Sequence, residues 1–403
     1  MNSKDIICIV SAVFPPEPVV SAKLSLDIAT ELSKSFKVIV ITPKPTRPFG
    51  INNLDLFVNN NIFEHHYIEN YTSPKPSIIG RLYESYSLGT SVIGFIEKNK
   101  INIRAIYLNV WPVFSQGLIV KWAKSNGVKT ILHVQDIYPE SITAKMPYLL
   151  GLPVNYFFRK YDKHVMQNAS KIIAISNNMK AYLSESRHIE PEKIEVVRNW
   201  QSEVRNIETL NSKKERNAIF TFMYLGSINK SSGLDFIIKC FGGLNLSNTR
   251  LVIAGNGSEK ENCMDLANSY PTSKIEFWDA SPDYVYKLQA DADVMILPLK
   301  KGIGLTATPS KLLAYLFSAK PILACVESIS DTANIIVKSQ SGWVTPPEDI
   351  NELKKSILNI VKIDFDVLKE MGIKGYKYAN INLSKDVSLK GIVKIISKIQ
   401  SAS

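Results

Sequence analysis

The sequence predicts an α/β protein built as two domains, each with a mainly parallel sheet covered by helices. A length of 403 residues exceeds what one hydrophobic core ordinarily serves and suggests two units of about 150–200 residues. Short β-rich apolar runs alternate with amphipathic stretches of helical length along the whole chain. A polar, charged segment at 201–217, QSEVRNIETLNSKKERN, is the best linker and divides the chain near its middle. The expected domains are therefore 1–200 and 218–384, with a final helix at about 385–403 that could pack back on the first.

The first domain opens with the apolar run 6–13, IICIVSAV, then the loop FPPEPVVSAKLS, an amphipathic helix over Leu24–Lys34 and a strand over Lys37–Thr42. Strand, loop, helix, strand is the start of a Rossmann-like sheet. The loop lacks G-x-G-x-x-G, so a dinucleotide fingerprint is absent. Residues 43–77 read as an irregular, Pro- and Asn-rich insertion with a strand-like piece at Phe63–Tyr67, and 78–99 as a helix. Then come the strand Ala105–Asn109, the helix Val113–Asn126 and the strand Lys129–Val134, which ends in HVQDIYPES. The strands Lys171–Ser176 and Ile194–Arg198 close the domain.

The second domain repeats the rhythm. Strand Ile219–Leu225 leads to the loop GSINKSSG and a helix from Leu234, and strand Arg250–Ala254 leads to the turn GNGSEK. Strand Lys274–Trp278 precedes a helix at Pro282–Ala290, and strand Val294–Pro298 precedes LKKGIGLTATPSKLLAYLFSAKPILA. In the last segment Thr308 is a natural N-cap and Pro309 suits the first helical position, so a helix is expected over 309–318 and a strand over Pro321–Val326.

Composition bounds the chemistry. With 45% hydrophobic and 21% charged residues the chain is an ordinary globular protein. No apolar run reaches the ~18–20 residues of a membrane span. The first apolar run stops at Pro15-Pro16 and reads as a buried strand, not a signal peptide. Cys8, Cys240, Cys263 and Cys325 form no C-x-x-C pair, which fits reduced thiols of a cytoplasmic protein and leaves no zinc site. The pairs at 291–293 (DAD) and 364–366 (DFD) are structural rather than metal-binding, and no cofactor is expected. The balance of 48 Lys+Arg against 37 Asp+Glu, net +11, needs an anionic partner. The basic residues are scattered and no nucleic-acid motif occurs, so phosphorylated substrates or anionic lipid headgroups explain the charge better.

Two places carry candidate chemistry. In open α/β sheets ligands gather at the carboxyl ends of strands. There the helix starting near 309 points free backbone N–H groups and its positive dipole end, with Ser310 and Lys311, at an anion. Lys230, in the first strand-terminal loop of the same domain, could reach the same diphosphate. The neighbouring loop residues Gly226, Ser227, Gly255, Trp278, Gly304 and Thr306 line the same strand-terminal edge and complete the expected diphosphate site. In the first domain His133, Asp136 and Glu140 project from the end of a strand. His133 either bonds a sugar hydroxyl or is a satisfied core histidine; Asp136 or Glu140 either receives an acceptor proton or, for Glu140, caps the next helix. Pro16, Glu17 and Ser21, in the first strand-terminal loop, are the further acceptor candidates. The segment 145–171, KMPYLLGLPVNYFFRKYDKHVMQNASK, sets apolar and aromatic residues beside basic ones, which suits either a membrane interface or the core face of a long helix.

The segments VFPPEPVVSAKLSLDIATELSK, HVQDIYPES, YLGSINKSSGLD, LVIAGNGSEKE, LQADADVMILPL and TPSKLLAYLFSAKPILA together resemble retaining glycosyltransferases of family four, over nearly the whole chain. More narrowly the sequence resembles the WbuB-type O-antigen enzymes, to which transfer of N-acetyl-L-fucosamine onto a lipid-linked sugar is assigned. The resemblance implies GT-B architecture, with two Rossmann-like domains facing across a cleft, a UDP-sugar or other nucleotide-diphosphate donor, a lipid-linked saccharide acceptor and peripheral contact with the cytoplasmic face of the inner membrane. It implies Lys230, Ser310 and Lys311 on the donor diphosphate and His133 at the transferred sugar, without metal. The family's two glutamates, spaced by seven residues, fall at Thr306 and Ala314 here. Their loss keeps a non-catalytic partner subunit open as an alternative, beside a sugar-nucleotide epimerase.

Overall fold

The computed structural model describes residues 6–46, 62–74, 77–109, 114–143, 146–201, 219–281, 284–305 and 309–401. The chain divides into two compact units, residues 1–198 with 388–403, and residues 199–387.

In the first unit the elements run β1 (Ile6–Ser11), α1 (Val20–Ser33), β2 (Lys37–Pro43), β3 (Glu64–Ile68), α2 (Ile78–Lys98), β4 (Ala105–Asn109), α3 (Phe114–Ser125), β5 (Lys129–Val134), α4 (Glu140–Thr143), α5 (Tyr148–Asn168), β6 (Lys171–Ala174), α6 (Asn177–Arg187) and β7 (Ile194–Val196). The strands pair in the order β3-β2-β1-β4-β5-β6-β7, all parallel. Parallel strands covered on both faces read as unbroken apolar runs. This is why Ile7–Val10 and every residue of β4 are buried. Helix α1 begins a turn before the expected Leu24, because its first residue, Val20, is exposed and the apolar period starts only with the second turn. Residues 47–61 of the expected insertion, and Val113, lie outside the described residues.

The second unit runs β8 (Phe220–Leu225), α7 (Leu234–Gly242), β9 (Thr249–Ala254), α8 (Lys260–Asn268), β10 (Ile275–Trp278), α9 (Val285–Asp291), β11 (Val294–Pro298), α10 (Ser310–Phe317), β12 (Ile322–Cys325), α11 (Asp331–Ser339), β13 (Gly342–Thr345), α12 (Ile350–Ile360) and α13 (Phe365–Asn382). The helix α14 (Lys385–Ser401) follows, and its residues from 388 onward count with the first unit. The second sheet is also parallel, in the order β10-β9-β8-β11-β12-β13. Helix α10 starts one residue later than expected. Pro309 stands at the N-cap with φ −67° and ψ 134°, an extended conformation, and leaves Ser310 and Lys311 as the first two helical residues. Thr308 and Thr306 lie outside the described residues. All four cysteines are buried and free.

Candidate functional site

Each sheet reverses its strand order once, between β1 and β4 and between β8 and β11. A crevice forms outside the carboxyl ends of the strands at such a point. The candidate residues gather at these two places.

In the second unit β8 ends at Leu225 and passes into Gly226, whose φ of +146° suits only glycine. A Cβ on Gly226 would lie 2.4 Å from Lys311 Cε, so the lysine side chain lies across the bare Cα. Its ammonium is 5.3 Å from the ring centroid of Tyr224. Tyr315 fixes this arrangement. It is fully buried, its hydroxyl donates to the Leu225 carbonyl at 3.0 Å and accepts the Leu225 N–H at 2.9 Å. Four residues separate it from Lys311, so both stand on one face of α10. Burial lowers the pKa of Lys311, and no ion pair of Lys311 occurs among the described residues. A partly desolvated ammonium with only an aromatic face beside it favours an anion.

The neighbouring loops are locked to this one. A Cβ on Gly255, at φ +141°, would lie 2.1 Å from the Gly226 carbonyl oxygen. The Gly226 N–H donates to the Ala254 carbonyl at 2.9 Å, Ile228 N–H to the Asn256 carbonyl at 2.9 Å, and Gly255 N–H to the Trp278 carbonyl at 3.1 Å. Tyr224 donates its hydroxyl to the Ser227 carbonyl. Trp278 thus joins the loop edge through its backbone. Its indole N–H goes to Glu276 at 2.9 Å and Arg250 covers its ring at 4.9 Å, so the side chain is committed within the sheet. Ser227 and Ser310 are exposed.

Lys230 has different surroundings from Lys311. It is exposed, in a short turn fixed by the Asn229 side chain, which accepts the Ser231 N–H at 3.0 Å. With Lys300, Asp235, Glu259 and Asn262 it lines a cavity of about 200 Å³, where Lys300 lies 4.0 Å from Asp235.

The segment 299–318 contains no acid, but the fold brings one to it. Pro298 pairs in register with Cys325, so the residues that follow β11 and β12 run side by side. Glu327 accepts the Gly302 N–H through Oε1. Its Oε2 is buried without a partner, and a Cβ on Gly304 would lie 2.5 Å from it. Sequence reasoning missed Glu327 because only the strand register links it to the loop.

In the first unit a pocket of about 130 Å³ with a mixed polar and apolar lining lies at the β1–β4 switch, bounded among others by Ala12, Ser21, Asn109, Gln116, His133 and Asp136. Ser11 and Ser25 share a hydrogen bond at 2.9 Å, and Asn109 donates to Ser25 at 2.9 Å. His133 is only 2% exposed; its Nδ1 meets the Tyr107 hydroxyl, and Gln135 lies 3.1 Å from Nε2. Burial lowers its pKa to about 4, so the ring is neutral near pH 7. It is a satisfied core histidine and a pocket wall at once. Asp136 is exposed at the pocket.

Glu140 departs from its expected role. Arg187, wholly buried, donates Nη1 and Nη2 to the two Glu140 oxygens at 2.9 and 2.8 Å, and Tyr182 donates to Oε1 at 2.7 Å. Burial alone would raise the Glu140 carboxyl, but these bonds hold it below its ordinary value. It braces the loop and is not available to take a proton. Arg187 also donates Nε to Asp162 at 2.7 Å and Nη2 to the Tyr138 carbonyl at 2.6 Å. Glu140 is half-buried and also has Arg159 at 3.9 Å, whereas Asp162 is buried, and burial pushes it up to about 6 despite Arg187. Glu17 is likewise buried, accepting the Thr46 N–H at 2.9 Å. Pro16 and Glu17 do not line the pocket; Ser21 does.

Residues 219–362 match the model of glycosyl transferases group 1, and residues 22–200 match glycosyltransferase family 4. The chain is 21% identical over 313 residues, 74% of each sequence, to a Pseudomonas aeruginosa protein described as "Probable glycosyltransferase WbjE". Its fold is similar to that of Anabaena HepE in complex with UDP and glucose, with TM-score 0.65 at 13% identity, covering 98% of this chain and 99% of that one. It is also similar to WaaG, a glycosyltransferase involved in lipopolysaccharide biosynthesis, with TM-score 0.63 at 15% identity, covering 97% and 99%.

Proposed function

We propose that this chain, a glycosyltransferase of GT-B fold with the features of group 1 and family 4, moves a sugar from a UDP-linked donor to a lipid-linked saccharide during O-antigen or other surface-polysaccharide assembly. The observation that carries the reading is Lys311, lying unpaired over Gly226 at the start of α10 and at the strand-order reversal of the second sheet. A leaving diphosphate gains negative charge as the glycosidic bond breaks. An ammonium and backbone N–H groups already aimed at that place stabilise it, by about 3–4 kcal/mol for a well-placed donor. Lys230, on the adjoining loop, supplies the second cation, so the leaving group is neutralised by side chains.

The acceptor occupies the pocket at the end of β5. His133, neutral and held by Tyr107 and Gln135, forms a wall of that pocket and supplies no proton. Asp136 is the exposed carboxylate beside it. Retention follows if the leaving phosphate itself takes the acceptor proton as the new bond forms on the same face. Glu327, brought to the Gly302–Gly304 turn, is the acid that stands in the donor loop where Thr306 and Ala314 replace the family's glutamates. N-acetyl-L-fucosamine is the donor sugar to test first, by the WbuB-type resemblance.

The test is a transfer assay on purified protein in EDTA. It offers a lipid-diphosphate-linked N-acetylglucosamine and a panel of UDP-, GDP- and dTDP-sugars that includes UDP-N-acetyl-L-fucosamine, read by mass. A gain of one sugar from a UDP donor supports the reading. Turnover of the donor without acceptor would point to epimerisation. Activity only after a second chain is added would point to a partner subunit, as the substitutions at Thr306 and Ala314 suggest.

A further inference from the structure

Gln116, in the first turn of α3, lines the pocket at the β1–β4 switch and is only 5% exposed. Its amide makes no hydrogen bond among the described residues. Buried polar groups find partners almost without exception, and an unpaired one is costly. A free amide enclosed in this way is satisfied only by what enters the cavity. Two further polar side chains of the same lining are half used. Asn109, the last residue of β4, gives its amide N–H to Ser25 at 2.9 Å, and its Oδ1 has no partner among the described residues. Asp162 of α5 accepts Arg187 Nε through Oδ2 at 2.7 Å, and its Oδ1 likewise has none among them. Both line the pocket and are more than nine-tenths buried.

Helix α5 comes close enough to deliver Asp162 and Met166 because α3 carries Gly117 next to Gln116, where a Cβ would run into the Tyr161 hydroxyl. The cavity therefore joins a free amide on α3 to free acceptor oxygens on β4 and α5. The rest of its wall is largely apolar, with Ala12, Val13, Val134 and Met166. Its volume of about 130 Å³ is room for about four waters at ~30 Å³ each. That is well below the ~300 Å³ at which pockets begin to enclose whole small molecules, so it takes one substituent of a sugar and not the ring.

Charge narrows the substituent. No Lys or Arg lines the pocket and His133 is neutral near pH 7, so a carboxylate or phosphate finds no counter-charge beside Asp136 and Asp162. An ammonium gains little, because Asp162 is already paired with Arg187 and Asp136 is open to water. A hydroxyl alone would leave the apolar wall uncovered. An acetamido group meets every part of the lining. Its methyl covers the apolar wall and its carbonyl accepts from the Gln116 amide. Its N–H, which points the opposite way in a trans amide, donates to the free oxygen of Asn109 or Asp162. We propose that this pocket is the subsite for the acetamido group of a 2-acetamido sugar, with Gln116 as the specificity-determining residue that reads it. The proposal rests on the reading that a sugar substrate enters at the end of β5, and that sugar is either the acceptor's or the donor's.

The test is titration calorimetry of the full chain with two series of probes. One carries N-acetylglucosamine, glucosamine or glucose on the same short-chain prenyl diphosphate; the other is UDP-N-acetylglucosamine beside UDP-glucose. In one series wild type should bind the acetamido member at least about tenfold tighter than the rest. Gln116→Met, which keeps the length and removes the amide, should cut that preference to about threefold or less. A preference in the prenyl series assigns the acetamido group to the acceptor, and one in the UDP series to the donor. Equal affinities within both series, tightest binding of glucosamine, or no measurable binding of any probe by wild type would overturn the proposal. So would a full preference retained by Gln116→Met; should that variant misfold, the wild-type comparison decides. Calorimetry needs no turnover, so an acetamido preference without sugar transfer would remove the transfer reading and keep the subsite. Transfer without the preference would remove the subsite alone.

Discussion

Gly226→Ala tests whether the anion site is built by the backbone or merely decorated by a lysine. The added Cβ would stand 2.4 Å from Lys311 Cε, while carbon atoms rest at about 3.5–4.0 Å. The lysine must therefore withdraw by at least about 1 Å. The neighbour is the far end of a flexible chain, so the clash costs little stability, while holding alanine at φ +146° adds about 1–3 kcal/mol. The functional loss is larger in kind. A displacement of about 1 Å in a positioned charge can lower turnover about 100-fold, and Lys311→Ala should cost about 100- to 1000-fold. The assay is kcat and KM for the nucleotide-sugar donor, beside thermal unfolding of each variant. Both substitutions act through one ammonium, so the double variant should be no slower than Lys311→Ala alone. Full additivity, or an unchanged kcat/KM in Gly226→Ala, would refute the cradle.

Other outcomes follow from the same contacts. Arg187→Met leaves Asp162 buried without its cation and Glu140 with only Arg159, 3.9 Å away, and should destabilise the first unit by about 3–5 kcal/mol, read by urea unfolding; adding Asp162→Asn should recover part of the loss. His133 has an ordinary pKa of 6.5 lowered to about 4 by burial, so it contributes stability that is fully present above pH 6.5 and is lost as pH falls toward 4. The fall corresponds to about 3 kcal/mol. Wild type minus His133→Gln should show this slope between pH 6.5 and 4, and the opposing titration of Asp162 cancels in the difference. Equal slopes in the two proteins would remove burial as the cause. Glu327→Ala frees the Gly302 N–H and should raise the donor KM at least severalfold, with little change in the unfolding midpoint of the second unit. Lys230→Ala should weaken donor binding by titration calorimetry; unchanged affinity would take Lys230 out of the diphosphate site.

The architecture was legible because its strands are short, apolar and punctuated. Four of them, Ala105–Asn109, Lys129–Val134, Val294–Pro298 and the run into Leu225, are found within a residue of where the apolar pattern places them. Segments with weaker contrast were not read. The strand Gly342–Thr345 is four residues long and half-buried over most of its length, too brief for a period to show. Lys311 was legible because a lysine at a helix start needs only local sequence. Its bare platform was not, since Gly226 and Lys311 meet only through the pairing of β8 with β11 and the grip of Tyr315. Glu140 misled for the opposite reason: a carboxylate in a strand-terminal loop looks free until Arg187, forty-seven residues later, is folded against it.

The first unit is not one continuous piece of chain. It uses residues 388–403, and Leu389, Ile392, Ile396 and Ile399 of α14 are buried. During synthesis the second unit is complete before the first can cover the surface that α14 will occupy, so the amino-terminal unit waits for its own closure. Folding order and chain order therefore disagree. Removing 388–403 should leave the second unit folded and the first with an uncovered apolar face, which ties completion of the first unit to the last segment of the chain.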